Sequence, residues 1–117
     1  MLNNLLTKLI SFRNRRDWKQ FHTPLNLAVS LQLEVSEILE HFQWMTNEEF
    51  MIKFKSDSKK KQAVKEEIAD AFSYLLLLAD SLNLDLKKEL ENKIKKNSLK
   101  YPISKSKGNA KKYTELS

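Results

Sequence analysis

The chain is expected to fold as an all-α, four-helix-bundle-like domain, and three observations predict this. One Gly and two Pro among 117 residues are too few for the many tight turns of a β-sandwich or barrel. Nineteen Leu stand beside abundant Lys and Glu, side chains that lose little freedom on entering a helix. Apolar residues also recur at i, i+3, i+4 and i+7, the spacing that gathers them on one helical face.

Each helix can be placed in turn. Leu2, Leu5, Leu6, Leu9 and Ile10 form the apolar stripe of a first helix that ends near Asp17–Trp18. His22-Thr23-Pro24 is a break, with Thr23 suited to an N-cap and Pro24 to the first helical position. A second helix then runs to about Trp44. Asn47, followed by Glu48, Glu49 and Phe50, marks a short capped helix, and a lysine-rich loop is expected from Lys53 to Lys61. A third long helix runs from about Lys59 to Leu82. Asp85 caps a fourth, which carries Leu86, Leu90 and Ile94 at four-residue spacing. Beyond Tyr101-Pro102 the composition turns to Ser, Lys and Asn, and an extended tail is expected. The domain reading is therefore a helical domain over 1–102 and a basic tail over 103–117.

Leu75 to Leu78 surround the third long helix with apolar side chains. Such a helix must be covered on every side, and a chain of this size has little material to do it. A homodimer or homotetramer that covers this helix is therefore expected.

Several functions are excluded by what the sequence lacks. With no Cys, there is no disulfide framework, Cys zinc site or thiol catalysis. Met1 to Phe12 has neither a basic segment nor an uninterrupted apolar core, so no signal peptide is expected. The longest fully apolar run, Tyr74 to Ala79, is far too short to cross a bilayer. A soluble, cytoplasmic protein without a membrane partner is expected. The net charge of +6 is uneven: residues 1–86 carry 11 Lys/Arg and 12 Asp/Glu, whereas 87–117 carry 10 Lys and 3 Glu. This excess would also suit a non-catalytic helical module that binds an acidic partner or nucleic acid through the C-terminal segment. The segment lacks the arginines and interleaved aromatics of a single-strand binder, so no nucleic-acid partner is expected.

The informative anomaly is acidic. At about 100° per residue, Glu34 falls about 20° from Leu27 on the second helix, inside the apolar stripe that Leu31 and Ile38 continue. Glu37 lies at the edge of that stripe, with Ser30 and His41 between the two acids. The third long helix repeats the arrangement. Glu67 falls in the stripe of Ala71, Tyr74 and Leu78, and Asp70 lies beside Ala63 and Leu77. Glu66 lies nearer the outer face, so Glu67 is the inward member. Burying one unpaired carboxylate costs several kcal/mol, and four together repel one another. Few cations point inward nearby, so a divalent metal would relieve the repulsion. All-oxygen ligands favour hard ions such as Mg²⁺, Mn²⁺ or Ca²⁺. The alternative is four helix-edge acids paired with Lys and Arg.

Glu34-Val-Ser-Glu37 followed by Glu67-Ile-Ala-Asp70 resembles the ExxE…ExxD signature of the all-α nucleotide pyrophosphohydrolases, the MazG-like superfamily. Arg16-Asp17-Trp18-Lys19-Gln20-Phe21-His22-Thr23-Pro24-Leu25-Asn26-Leu27 resembles the corresponding block of the dCTP pyrophosphatase branch. So do His41-Phe42-Gln43-Trp44 and Lys93…Asn97…Lys100-Tyr101-Pro102. Ser36 stands where this branch often has Gly, a change that leaves the acid spacing intact.

The resemblance implies hydrolysis of a nucleoside triphosphate between the α and β phosphates, giving monophosphate and pyrophosphate. dCTP or a related pyrimidine deoxynucleotide is the favoured substrate. It implies Mg²⁺, with Mn²⁺ as the alternative, on Glu34, Glu37, Glu67 and Asp70. It implies base stacking on Trp18 and Trp44, phosphate and sugar contacts from Lys93, Asn97 and Tyr101, and a nucleotide contact from His22. Glu37, nearest to solvent, is expected to be the catalytic base.

Overall fold

Side-chain caps divide the chain into helices. Thr23 Oγ1 accepts the Asn26 N–H at 3.2 Å and opens the helix that Pro24 begins, while Thr46 Oγ1 accepts the Glu49 N–H at 3.1 Å and opens the next. Such caps satisfy donors that have no partner within the helix. In the computed structural model, which describes residues 2–117, every regular element is helical. These residues fall into two compact units, one ending at Asn83 and the other running from Leu84 to Ser117.

The first unit contains α1 (Leu2–Asn14), a single 3-10 turn at Lys19–Phe21, α2 (Pro24–Glu40), α3 (Asn47–Ser56) and α4 (Ser58–Ser81). The long α4 is the organising element: α2 packs most extensively against it, and α1 and α3 also pack on it. The buried apolar residues are Leu27 of α2, Phe50 of α3, and Val64, Leu76, Leu77 and Ala79 of α4. Phe42 stacks on Phe50 with ring centroids 3.9 Å apart and fastens the end of α2 to α3. Arg13, only 6 % exposed, stands in the last turn of α1 with Nη1 3.8 Å from Asp80 Oδ2 and donates Nε–H to Asn14 Oδ1 at 3.0 Å. A cation this deep needs such partners.

Three expectations for the first unit are revised. The first helix ends at Asn14, not near Trp18, because Asp17 takes a left-handed φ of 55°. The second ends at Glu40, not Trp44, and Trp44 itself has φ 65°. The lysine-rich loop over 53–61 is absent: α3 runs to Ser56 and α4 starts at Ser58, with Asp57 alone between them. Asp57 Oδ1 accepts the N–H groups of Lys59 and Lys60 at 3.1 and 3.2 Å, so one residue closes one helix and caps the next. One chain by itself covers the leucine run only in part. Leu76 and Leu77 are buried and Leu78 half-buried, but Leu75 is exposed.

The second unit comprises α5 (Leu86–Lys100), the one-turn α6 (Ile103–Ser106) and a 3-10 turn at Tyr113–Glu115. Asp85 caps α5 as expected, its Oδ1 accepting the Lys88 N–H at 3.2 Å. No residue of α5 is buried. The stretch after Pro102 is not simply extended. Its two helical turns are accompanied by an edge-on contact of Tyr101 with Tyr113 and by Lys100 Nζ 4.7 Å from the Tyr113 ring centre. No helix among the described residues is long and apolar enough to cross a membrane.

Leu27, 1 % exposed at the α2–α4 seam, is the clearest test of this packing. Replacing it by Ala should destabilise the chain by about 3 kcal/mol in urea unfolding, the usual cost of such a cavity. A loss below about 1 kcal/mol would mean that this position is not enclosed.

Candidate active site

The two acid pairs lie on the two most intimately packed helices, Glu34 and Glu37 on α2, Glu67 and Asp70 on α4. Helical spacing puts i and i+3 on one side of each helix. Glu34 and Glu67 are half-buried, whereas Glu37 and Asp70 are exposed. Glu66 is also exposed and takes a hydrogen bond from Gln62 Nε2 at 3.1 Å, so Glu67 is the inward acid of that pair.

Glu34 carries the strain of this arrangement. Its Oε2 is closed to solvent and has no hydrogen-bond partner. Its pKa is raised, first by burial and then by the negative charges of Glu37, Asp70 and Glu67. Glu34 therefore feels Glu37 one turn along its own helix and Glu67 and Asp70 across the seam. None of the four is ion-paired with Lys or Arg among the described residues. The half-buried Lys60 turns elsewhere, donating from Nζ to the carbonyl of His41 at 3.0 Å.

An orphaned carboxylate oxygen among like charges, in an all-oxygen donor set, fits a hard divalent cation. Among the described residues no three acids or histidines already stand together as a coordination shell. The fit thus rests on donor chemistry and on the unsatisfied oxygen.

The contact that sequence reasoning missed is His41, which stands 2.8 Å from Glu67 Oε2 through Nε2. Its signal was its place on the second helix's acidic stripe, between Glu34 and Glu37, which by itself named no partner.

The residues of the 16–27 block lie in the first unit. Trp18 packs edge-on against Phe12 at 5.8 Å and lies 6.4 Å from the His22 ring. Part of its ring stays open to solvent. His22 Nδ1 is buried without a partner, and its pKa is lowered by burial and by the charge of Arg13, so the ring is held neutral. Trp44, 91 % exposed, projects from the turn after α2. Left-handed backbone is costly for a bulky residue and recurs at functional sites. In the second unit, Lys93 and Asn97 lie one turn apart on the exposed surface of α5, and the N–H of Tyr101 donates to the Asn97 carbonyl at 2.8 Å.

A model of the MazG-like family matches residues 29–116. The chain is 39 % identical over 105 residues to dCTP pyrophosphatase 1 of Rattus norvegicus and 38 % identical to that of Homo sapiens. Each match covers 90 % of this chain but only 61 % of the relative, so the chain spans about three fifths of their length. A crystal structure of a pyrophosphatase from Archaeoglobus fulgidus is similar with a TM-score of 0.79 and 42 % identity, covering 86 % of this chain and 91 % of that one.

The raised pKa of Glu34 has a defined sign. The folded chain holds this proton at pH values where the unfolded chain has released it, so stability falls as pH rises through that window. In EDTA, Glu34→Gln should therefore raise the melting temperature at pH 7 and change it little at pH 3. A variant less stable than the parent at pH 7 would show that Glu34 is compensated in the fold.

Proposed function

This chain belongs to the MazG-like family, and on that premise we propose that it is a nucleoside triphosphate pyrophosphohydrolase. The reaction is hydrolysis of a (deoxy)nucleoside triphosphate between the α and β phosphates, yielding monophosphate and pyrophosphate. dCTP or a related pyrimidine deoxynucleotide is the favoured substrate, a reading supported by the similarity to dCTP pyrophosphatases. The catalytic domain is assigned to residues 1–102 with 103–117 as a basic appendage. A cytoplasmic location, where nucleotide pools are found, accompanies this proposal.

The observation that carries it is the facing pair of acid motifs with Glu34 Oε2 left unsatisfied between them. Glu34, Glu37, Glu67 and Asp70 would hold Mg²⁺, or Mn²⁺ in its place. When bound, such an ion neutralises phosphate charge and lowers the pKa of a coordinated water.

The protein groups then have distinct tasks. Glu37, the exposed member of its pair, accepts the proton of the attacking water. Lys93 supplies a point charge to phosphate oxygens, while the Asn97 amide and the Tyr101 hydroxyl offer hydrogen bonds to the sugar. Trp44 and Trp18 present ring faces to a base, a contact that any base can make. The neutral His22 contributes a hydrogen-bonding nitrogen to the nucleotide without adding charge.

Oligomerisation is part of the same proposal. Leu25, Val29 and Leu33 repeat every fourth residue along α2, and Leu25 is 72 % exposed. Ile68, Phe72 and Leu75 form a second exposed apolar row on α4. Contiguous apolar surface of this kind marks an interface, and a homodimer or homotetramer would cover it.

The deciding experiment incubates a panel of dNTPs and NTPs with the protein and Mg²⁺ and scores pyrophosphate separately from orthophosphate. Pyrophosphate with monophosphate, strongest from dCTP, is expected, and Glu37→Gln should remove it while far-UV dichroism is unchanged. Orthophosphate as the released product would refute cleavage at the α–β bond. Trp44→Ala should raise KM for the nucleotide at least several-fold, with the Mg²⁺ dependence unchanged. An equal weakening of Mg²⁺ binding would instead give Trp44 a packing role.

A further inference from the structure

The end of α2 is fastened to α4 at two points through one residue. His41, the C-cap of α2, has its carbonyl held by Lys60 Nζ at 3.0 Å and its ring held by Glu67 Oε2 at 2.8 Å. Lys60 and Glu67 stand seven residues apart on α4, two turns along one face. The carbonyl contact has an ordinary explanation, because the last carbonyls of a helix lack partners within it and attract cations. The ring contact does not, since Nε2 meets a side chain of another helix and not a terminal carbonyl of α2.

Glu67 is half-buried and contributes to the negative field at Glu34. A glutamate has three rotatable bonds, and repulsion from Glu34, Glu37 and Asp70 would turn its carboxylate outward toward water. A short hydrogen bond from a residue whose backbone carbonyl is itself held by Lys60 opposes that rotation. Such outer contacts orient carboxylate ligands and tune the sites they serve.

We propose that His41 is a positioning residue: donating from Nε2 to Glu67 Oε2, it fixes the rotation of that carboxylate and reserves Oε1 for the divalent cation. The proposal rests on the reading of Glu67 as a metal ligand. It implies the tautomer with hydrogen on Nε2, since an ionised carboxylate can only accept.

The test titrates Mn²⁺ alone into the full chain by calorimetry, with no nucleotide present. His41→Leu should weaken Mn²⁺ binding about 10–100-fold, the usual effect of removing such a partner. His41→Gln, whose amide can reach the same oxygen, should restore most of the affinity. In a Glu67→Gln background, His41→Leu should change Mn²⁺ affinity no further, whereas a general structural role would weaken binding in both backgrounds. Should His41→Leu lose helix content, His41→Asn, whose amide falls short of Glu67, takes its place under the same criteria. Unchanged affinity on removing the imidazole, or an equal loss in both backgrounds, overturns the positioning role. If the parent and Glu67→Gln bind Mn²⁺ alike, the ligand reading of Glu67 fails, and the role of His41 fails with it.

Discussion

Glu34, Glu37, Glu67 and Asp70 set four negative charges along the seam of a single helix pair, and the first unit is organised around keeping that seam closed. A buried, uncompensated carboxylate costs several kcal/mol, while a typical hydrogen bond returns about 1 kcal/mol. Hydrogen bonds therefore cannot hold α2 against α4 by themselves. Apolar packing must do it, and Leu27, Val64, Leu76 and Leu77 are buried for that purpose. The balance explains how Glu34 can keep an orphaned oxygen: the neighbouring apolar contacts are strong enough to tolerate it. A cation would turn that local cost into binding affinity.

The ends of α2 translate this seam into a site. At one end, Thr23 and Pro24 start the helix directly after His22, so the neutral ring and Trp18 stay close to the first turn. At the other, α2 stops at Glu40 and the chain reverses through Trp44 at φ 65°. Had the helix continued to Trp44, the tryptophan would have followed the helical rotation and not projected from a turn. Asp17 does the same work after α1, where its left-handed backbone sets the direction of the following Trp18. In both places a locally unfavourable backbone conformation leads into an aromatic residue that the proposed reaction uses.

Much of the fold could be read from the residues, for local physical reasons. Thr23-Pro24 and Asp85 are caps whose chemistry is complete within a few residues, and two helix starts follow from them. The acid pairs were legible because helical periodicity alone puts Glu34 and Glu67 among apolar neighbours. Helix ends were less legible. The lysines from 53 to 61 looked like a loop because charge resembles solvent exposure, yet lysine is a good helix former and Asp57 caps the next helix at once. The leucine run at 75–78 calls for cover on every side, and one chain supplies only part of it.

By itself, the sequence determined that the protein is helical, where its helices begin, and that two i, i+3 acid pairs occupy apolar stripes. Those properties depend on periodicity and capping, which act over at most a few turns. Tertiary structure decided which acid is strained, since the raised pKa of Glu34 comes first from burial, and charges on a second helix add to that of Glu37 on its own. It also decided the partner of His41, a glutamate 26 positions away brought to 2.8 Å by the packing of α2 on α4. Contacts between helices depend on how their faces meet, and no local pattern along the chain encodes that meeting.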